Sequence, residues 1–236
     1  MAEIRGILFD KDGTLVDFQQ TWYALADLMA MHAADGDRGR ADALMVLAGY
    51  DYDRHRFRAD SVFAAGTNAD IVALWYAGSD EARRREMTAY FDNFTAEQGA
   101  LQSVPLPGSR DAIAALHRQG FRLGVATNDS TSGAEKTLLA LGVAQMFDAA
   151  YGYDAVANPK PAPDTIQAFS DLTGLKAAEI AMVGDNRHDL EMAKAGGAGL
   201  AVGVLSGTGT RESLAPLADV VLDSIADLPG YLAASR

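Results

Sequence analysis

The sequence has no cysteine and only four histidines among its 236 residues. Without cysteine there is no disulfide scaffold, no thiolate nucleophile and no cysteine-ligated zinc or iron–sulfur site. The histidines His32, His55, His117 and His188 are scattered, which leaves little for a histidine-built metal site. Positive charge is also short. Twenty Lys and Arg stand against 32 Asp and Glu, for a formal net charge of −12. A field of that sign repels nucleic-acid phosphate and anionic lipid alike. It does not forbid a small anionic substrate, because a bound divalent cation reverses the field of a pocket locally. Long hydrophobic runs are missing too. The start reaches only Ile7 to Phe9 before Asp10 interrupts it, which is too short for a signal peptide. The longest uncharged stretch, Ala195 to Thr210, is too short and glycine-rich to span a membrane. A soluble cytoplasmic protein is expected.

Short apolar runs at Ile4 to Phe9, Phe121 to Ala126, Ile180 to Val183, Gly199 to Val204 and Asp219 to Leu222 read as buried strands. Helical patterns lie between them, so a parallel sheet covered on both faces is the economical arrangement. Ser109 stands as an N-cap candidate ahead of Ile113 and Leu116; Ser132 and Glu135 form a capping-box pair ahead of Leu138, Leu139 and Leu141. A further helix is predicted from about Arg187 to Ala195, ending at Gly196. Residues from Asp17 to about Ala100 hold helical periodicity and no convincing strand. Trp22, Leu25, Met29 and His32 share one helix face there, and further helices are plausible at Ala41 to Ala48, Ala69 to Ala77 and Asp80 to Gly99. Pro105 and Pro107 punctuate the return. The expected organisation is an α/β core of residues 1–16 and 101–236, with an all-helical insertion over residues 17–100.

Chemistry-bearing residues gather at predicted strand ends, where parallel sheets bind ligands. Asp10 and Asp12 follow the first strand, two positions apart and facing the same way in a regular strand. They read either as a hard-metal site with a carboxylate nucleophile or acid, or as a solvated turn. Thr127 and Asn128 follow the second strand as phosphoryl-oxygen donors or as a loop leading to a helix cap. Lys160 sits between Pro159 and Pro161, an anion binder or an exposed lysine. Asp185 and Asp189, four apart at the next strand end, are either magnesium ligands together with Asp10 and Asp12, or an N-cap and a surface acid.

Taken in order, "FDKDGTLVDF", "ATND", "NPKPAPD" and "VGDNRHDLEMAKAGGAG" resemble the haloacid dehalogenase superfamily, closest to its phosphoglycolate phosphatase-like branch. The resemblance covers nearly the whole chain and implies a Rossmann-like parallel sheet flanked by helices. The interval between Asp12 and Thr127 is the only one long enough for an extra domain. In this family an insertion there resembles a mobile helical cap that closes over the active site and excludes water.

By this resemblance, Asp10 attacks the substrate phosphorus and forms an aspartyl-phosphate. Asp12 protonates the leaving oxygen and then activates water, while its main-chain carbonyl faces the metal. Thr127 and the Asn128 amide hold phosphoryl oxygens, and Lys160 offsets charge on nucleophile and phosphate. Asp185 ligates Mg²⁺, and Asp189 supports Lys160 or a metal-bound water. The expected function is Mg²⁺-dependent hydrolysis of a small, phosphoglycolate-like metabolite by a monomer or homodimer. The rivals are a β-phosphoglucomutase-like sugar phosphomutase and an idle regulatory protein of the same fold. For the insertion, the cluster Arg54, His55, Arg56 and Arg58 beside Phe57 reads either as a receptor for a substrate carboxylate or sugar-phosphate, with Arg54 and Arg56 its leading members, or as a solvated helix face.

Overall fold

The computed structural model describes residues 3–234. In chain order the elements are β1 (Gly6–Phe9), α1 (Phe18–Ala33), α2 (Arg38–Ala48), β2 (Tyr50–Asp51), β3 (Arg56–Phe57), α3 (Val62–Ala65), α4 (Asn68–Trp75), α5 (Glu81–Leu101) and α6 (Ser109–Arg118). They continue as β4 (Arg122–Ala126), α7 (Thr131–Ala140), β5 (Ala149–Tyr151), α8 (Asp164–Thr173), β6 (Ile180–Gly184), α9 (Arg187–Ala195), β7 (Leu200–Val204), α10 (Arg211–Leu214), β8 (Val220–Leu222) and α11 (Leu228–Ala234).

Six strands form one parallel sheet in the order β5-β4-β1-β6-β7-β8. The strands are short apolar runs because both faces are covered. Ile7 and Phe9 of β1 join Leu123, Val125, Ala181 and Val183 in a core on one face, where Ile113, Leu116, Ala134 and Leu138 of α6 and α7 pack. Leu8 points the other way, joining Ile180 and Met182 against Ile166 and Phe169 of α8 and Leu190 of α9. This is the alternation expected of a pleated strand.

The five predicted runs are all strands, with ends that differ by a residue or two. The sixth, β5, is absent from the prediction because Ala149, Ala150 and Tyr151 are too few and too mixed to show a period. Two helix starts also differ. Gly108, in a left-handed conformation, caps α6, so Ser109 is already the first helical residue. Ser130, not Ser132, caps α7, accepting from Gly133 N at 3.1 Å.

Between β1 and α6 the chain builds a second apolar core of its own, centred on Leu25, Met29, Met45, Phe57, Ile71 and Phe91. The insertion is helical apart from a small hairpin, which corrects the all-helical expectation. There α2 ends at Gly49, φ 114°, and Tyr50 and Asp51 pair antiparallel with Phe57 and Arg56. The turn forms because Asp51 accepts from the main-chain N–H groups of Asp53 and Arg54, both at 3.0 Å. Entry and exit of the insertion lie side by side: Asp17 N donates to Val104 O at 2.8 Å and Leu106 N to Leu15 O at 3.1 Å. Among the described residues, no helix is long and apolar enough to cross a membrane.

Phe91 is fully buried against His32, Trp75, Tyr76 and Tyr90. Phe91→Ala is expected to lower stability by about 3–5 kcal/mol, read as an earlier midpoint in urea; an unchanged midpoint would remove Phe91 from the insertion's core.

Candidate active site

The sheet order sets the site. Strand β1 lies between β4 and β6, with Phe9 level with Val125 on one side and Val183 on the other. The residues just beyond, Asp10, Thr127 and Asp185, therefore emerge together at the C-terminal edge. The connection after β4 goes to one side of β1 and the later chain returns on the other, a switch point where a crevice opens in such sheets. Asp10 N still donates to Val183 O at 2.8 Å, and Thr127 N to Tyr151 O at 2.9 Å, so both side chains hang from the end of the ladder.

One oxygen each of Asp10, Asp185 and Asp189 lies within 4.8 Å of the other two, and all three residues are buried. Lys160, from the loop between β5 and α8, reaches in to donate to Asp10 Oδ1 and Asp189 Oδ1, each at 2.7 Å. Asp189 sits in the first turn of α9, where its Oδ2 accepts from Asn186 N at 3.0 Å in a capping box. Asp185 Oδ2 accepts from Thr208 N at 2.7 Å and Thr208 Oγ1 at 3.2 Å. No basic side chain forms a salt bridge with Asp185 among the described residues. Glycine makes room for it: a Cβ on Gly207 would lie 2.0 Å from Asp185 Oδ2.

Burial pushes the Asp10 carboxyl up to about 7 from its ordinary 3.8, opposed by Lys160 and reinforced by Asp189 and Asp12. Asp185 is raised well above its ordinary value by burial, then by Asp10 and Asp189. Burial alone would lower the Lys160 ammonium; Asp10 and Asp189 outweigh it and hold the charge.

The Asp12 carboxylate does not join this cluster. Its Oδ1 accepts from Trp22 Nε1 and its Oδ2 pairs with Lys11 Nζ, both at 2.6 Å. Lys11 is buried, also pairs with Asp129 Oδ2 at 3.1 Å, and lies 5.0 Å from the centre of the Trp22 ring. A metal-ligand role for Asp12 therefore has only its main-chain carbonyl to rest on.

A cavity opens over Asp10, lined by Asp12, Thr127, Asn128, Lys160 and Asp189, and on the insertion side by Phe18, Trp22, Phe63 and Ile71. Asn128 Nδ2 donates to Ala65 O at 2.7 Å and to Lys160 O at 3.2 Å, which ties the β4 loop to both neighbours. His188 Nδ1 stands 3.2 Å from the same Ala65 carbonyl.

Neither Arg54 nor Arg56, the two arginines expected to receive a substrate anion, lines this cavity. Arg54 is exposed and bound to Asp51 Oδ2 at 2.9 Å, within its own turn, and Arg56 is exposed on the hairpin. Conversely, Lys11, Asp129, Trp22 and Phe63 belong to the site's surroundings without having been singled out for it. Trp22 follows the first turn of α1, which Asp17 caps immediately after the first motif, so the sequence keeps it near Asp12.

Residues 4–197 match the haloacid dehalogenase-like hydrolase family. The chain is 31% identical over 242 residues to the phosphoglycolate phosphatase of Salmonella typhimurium, covering 97% of this chain and 92% of that protein. It is 30% identical over 249 residues to the phosphoglycolate phosphatase of Escherichia coli K12, covering 96% and 91%. Among solved structures, a predicted phosphoglycolate phosphatase from Haemophilus somnus superimposes with a TM-score of 0.72 at 22% identity, covering both chains fully. CbbY from Rhodobacter sphaeroides, in complex with phosphate, gives 0.67 at 24% identity over 95% of this chain and 96% of its own. At those identities the two structures bear on the fold alone.

Two outcomes follow from the geometry. Lys11→Met leaves Asp129 buried without its cation, an expected loss of about 3–5 kcal/mol in denaturant titration; Arg54→Ala, at an exposed pair, should leave the midpoint where it is. The second concerns pH. Asp10 has a folded pKa raised above its unfolded one, so its contribution is fully present below about pH 3.8 and is lost as pH rises through about 7, and Asp185, also raised by burial, acts in the same direction. Metal-free protein should therefore melt at a falling temperature between pH 5 and 7.5, and a rising one would contradict the burial of these acids.

Proposed function

From the premise that the chain belongs to the haloacid dehalogenase-like hydrolases and is a phosphatase, we propose that it hydrolyses a small phosphate monoester through a phosphoryl–Asp10 intermediate, with Mg²⁺ as cofactor. The observation that carries this reading is the placement of Asp10: a buried carboxylate at the end of the central strand, held by Lys160 and facing a cavity roofed by the insertion.

The donor set fits a hard divalent cation. Three buried carboxylates converge within 4.8 Å, all ligands are oxygens, and one lysine cannot offset them. Asp10, Asp185 and the Asp12 main-chain carbonyl would hold the ion, with Asp189 supporting Lys160 beside it. When bound, Mg²⁺ supplies charge neutralisation for the approach of an anionic carboxylate to an anionic phosphate.

The remaining chemistry belongs to the chain. An Asp10 oxygen attacks phosphorus in line with the ester oxygen, and the P–O bond to the alcohol breaks as the P–O bond to Asp10 forms. Thr127 and the Asn128 main-chain N–H hold phosphoryl oxygens, and Lys160 keeps Asp10 oriented. Asp12 gives the leaving oxygen its proton, then takes one from the water that cleaves phosphoryl–Asp10 and releases inorganic phosphate. With Lys11 and Trp22 each donating to it, Asp12 is arranged as an acceptor on both oxygens, as the second half-reaction requires. To deliver a proton in the first, it must turn away from Trp22.

Residues 17–100 act in this reading as a cap over a core of residues 1–16 and 101–236. Support comes from Phe18, Trp22, Phe63 and Ile71, which line the same cavity as Asp10. Closure removes water, so the phosphoryl group meets Asp10 first. The phosphoglycolate phosphatases among its relatives set the size class of the ester, and the cytoplasm is the proposed setting.

Asp10→Asn is expected to abolish phosphate release from p-nitrophenyl phosphate while the melting profile stays cooperative; retained turnover sinks the nucleophile. Mg²⁺ should raise the melting temperature of the parent more at pH 7.5 than at pH 5, and chelator should stop turnover. A rate indifferent to chelation removes the metal from the proposal.

A further inference from the structure

Resting on the phosphatase reading, we propose that the alcohol portion of the substrate is small and uncharged, and that Trp22, Phe63, Asn68 and Ile71 select it over a carboxylate-bearing one. The charge census of the cavity points this way. Four lining residues are acids, Asp10, Asp12, Asp129 and Asp189, while the basic ones are Lys160 and His188. Lys160 is already committed to two carboxylates at 2.7 Å each. His188 spends Nδ1 on the Ala65 carbonyl, 3.2 Å away. No arginine is among the described residues that line the cavity, and the arginines of the hairpin segment lie outside it: Arg54 is bound to Asp51, and Arg58 reaches the Val46 carbonyl at 3.3 Å.

The wall facing the acids is apolar and packed. Trp22 and Phe63 meet edge to face with ring centroids 6.2 Å apart, Phe63 stacks on Phe57 at 4.7 Å, and Ile71 is buried behind them. Asn68 is buried too, its Nδ2 donating to Asp92 Oδ1 at 2.9 Å and Thr95 Oγ1 at 3.0 Å, so that amide is fixed. A second anion on the substrate would lose its hydration here with no free lysine or arginine among the described lining residues to receive it and with acids nearby. Mg²⁺ and Lys160 do not relieve this, since both are matched to the phosphoryl group.

An uncharged alcohol loses less hydration against this wall than a carboxylate does. Size is limited as well: the cavity is about 60 Å³ in this arrangement.

The test compares kcat/KM for 2-phosphoglycolate and 2-hydroxyethyl phosphate, which differ in bearing a carboxylate or a hydroxymethyl group, with p-nitrophenyl phosphate as a general ester. Mg²⁺-loaded parent protein should favour 2-hydroxyethyl phosphate by at least tenfold. In Ala64→Arg, which places a cation on the half-buried part of the wall, the ratio should fall through a gain on 2-phosphoglycolate alone. Equal or higher kcat/KM of the parent on 2-phosphoglycolate overturns the proposal and leaves the phosphatase reading standing. No gain in folded Ala64→Arg also counts against it. Absence of turnover on all three esters overturns the phosphatase reading and this proposal with it.

Discussion

One ammonium group between two carboxylates organises this protein. Lys160 meets Asp10 and Asp189 at 2.7 Å each, and Asp185 lies close by with no salt bridge of its own among the described residues. Buried charge is costly unless it is matched, and here the match is incomplete by design of the sheet. Three neighbouring strands deliver their end residues to one spot, and the chain supplies a single lysine from a distant loop. The shortfall of positive charge leaves a cluster of carboxylate oxygens that could hold a divalent cation.

Asp189 shows how little of the site is free to move. Its two oxygens close a helix start and hold Lys160, so the first turn of α9 and the position of the lysine are one constraint. Lys11 plays a comparable part on the insertion side. It joins Asp12 to Asp129 and lies over Trp22, so the first two motif loops and the first helix of the insertion share a buried ion cluster. A polar network of this kind specifies a position more than it adds net stability.

Much of this was legible in the residues, for physical reasons that also mark the limit. Strands buried on both faces must be apolar runs, so β1, β4, β6, β7 and β8 declared themselves; β5, with two alanines and a tyrosine, did not. Asp10, Asp12, Thr127 and Asp185 were visible because each ends such a run. For Lys160 local residues leave an anion binder and an exposed lysine both open; the family resemblance points to the nucleophile, and the sheet order brings it to Asp10. For the Arg54 and Arg56 cluster local charge leaves a receptor and a solvated face both open, because it says nothing of the turn that Asp51 makes, which takes up Arg54. Trp22 was read as one of several apolar residues on a helix face. Its ring does pack, and its N–H reaches Asp12, since a tryptophan at the edge of a core carries both properties at once.

The neck of the insertion has a consequence for how such a chain can change over time. Because Asp17 and Val104 are hydrogen-bonded neighbours, the sheet meets the whole intervening segment as a loop whose ends are already joined. Closing a loop costs free energy only logarithmically in its length, about 0.6 kcal/mol for each doubling. The segment also carries its own apolar core, so its interior need not be matched to the sheet's. Away from the points where Trp22 and Ala65 meet the motif loops, the segment can therefore lengthen or shorten while the sheet edge keeps its register. The interior of the insertion and the edge of the sheet are free to evolve at different rates within one polypeptide.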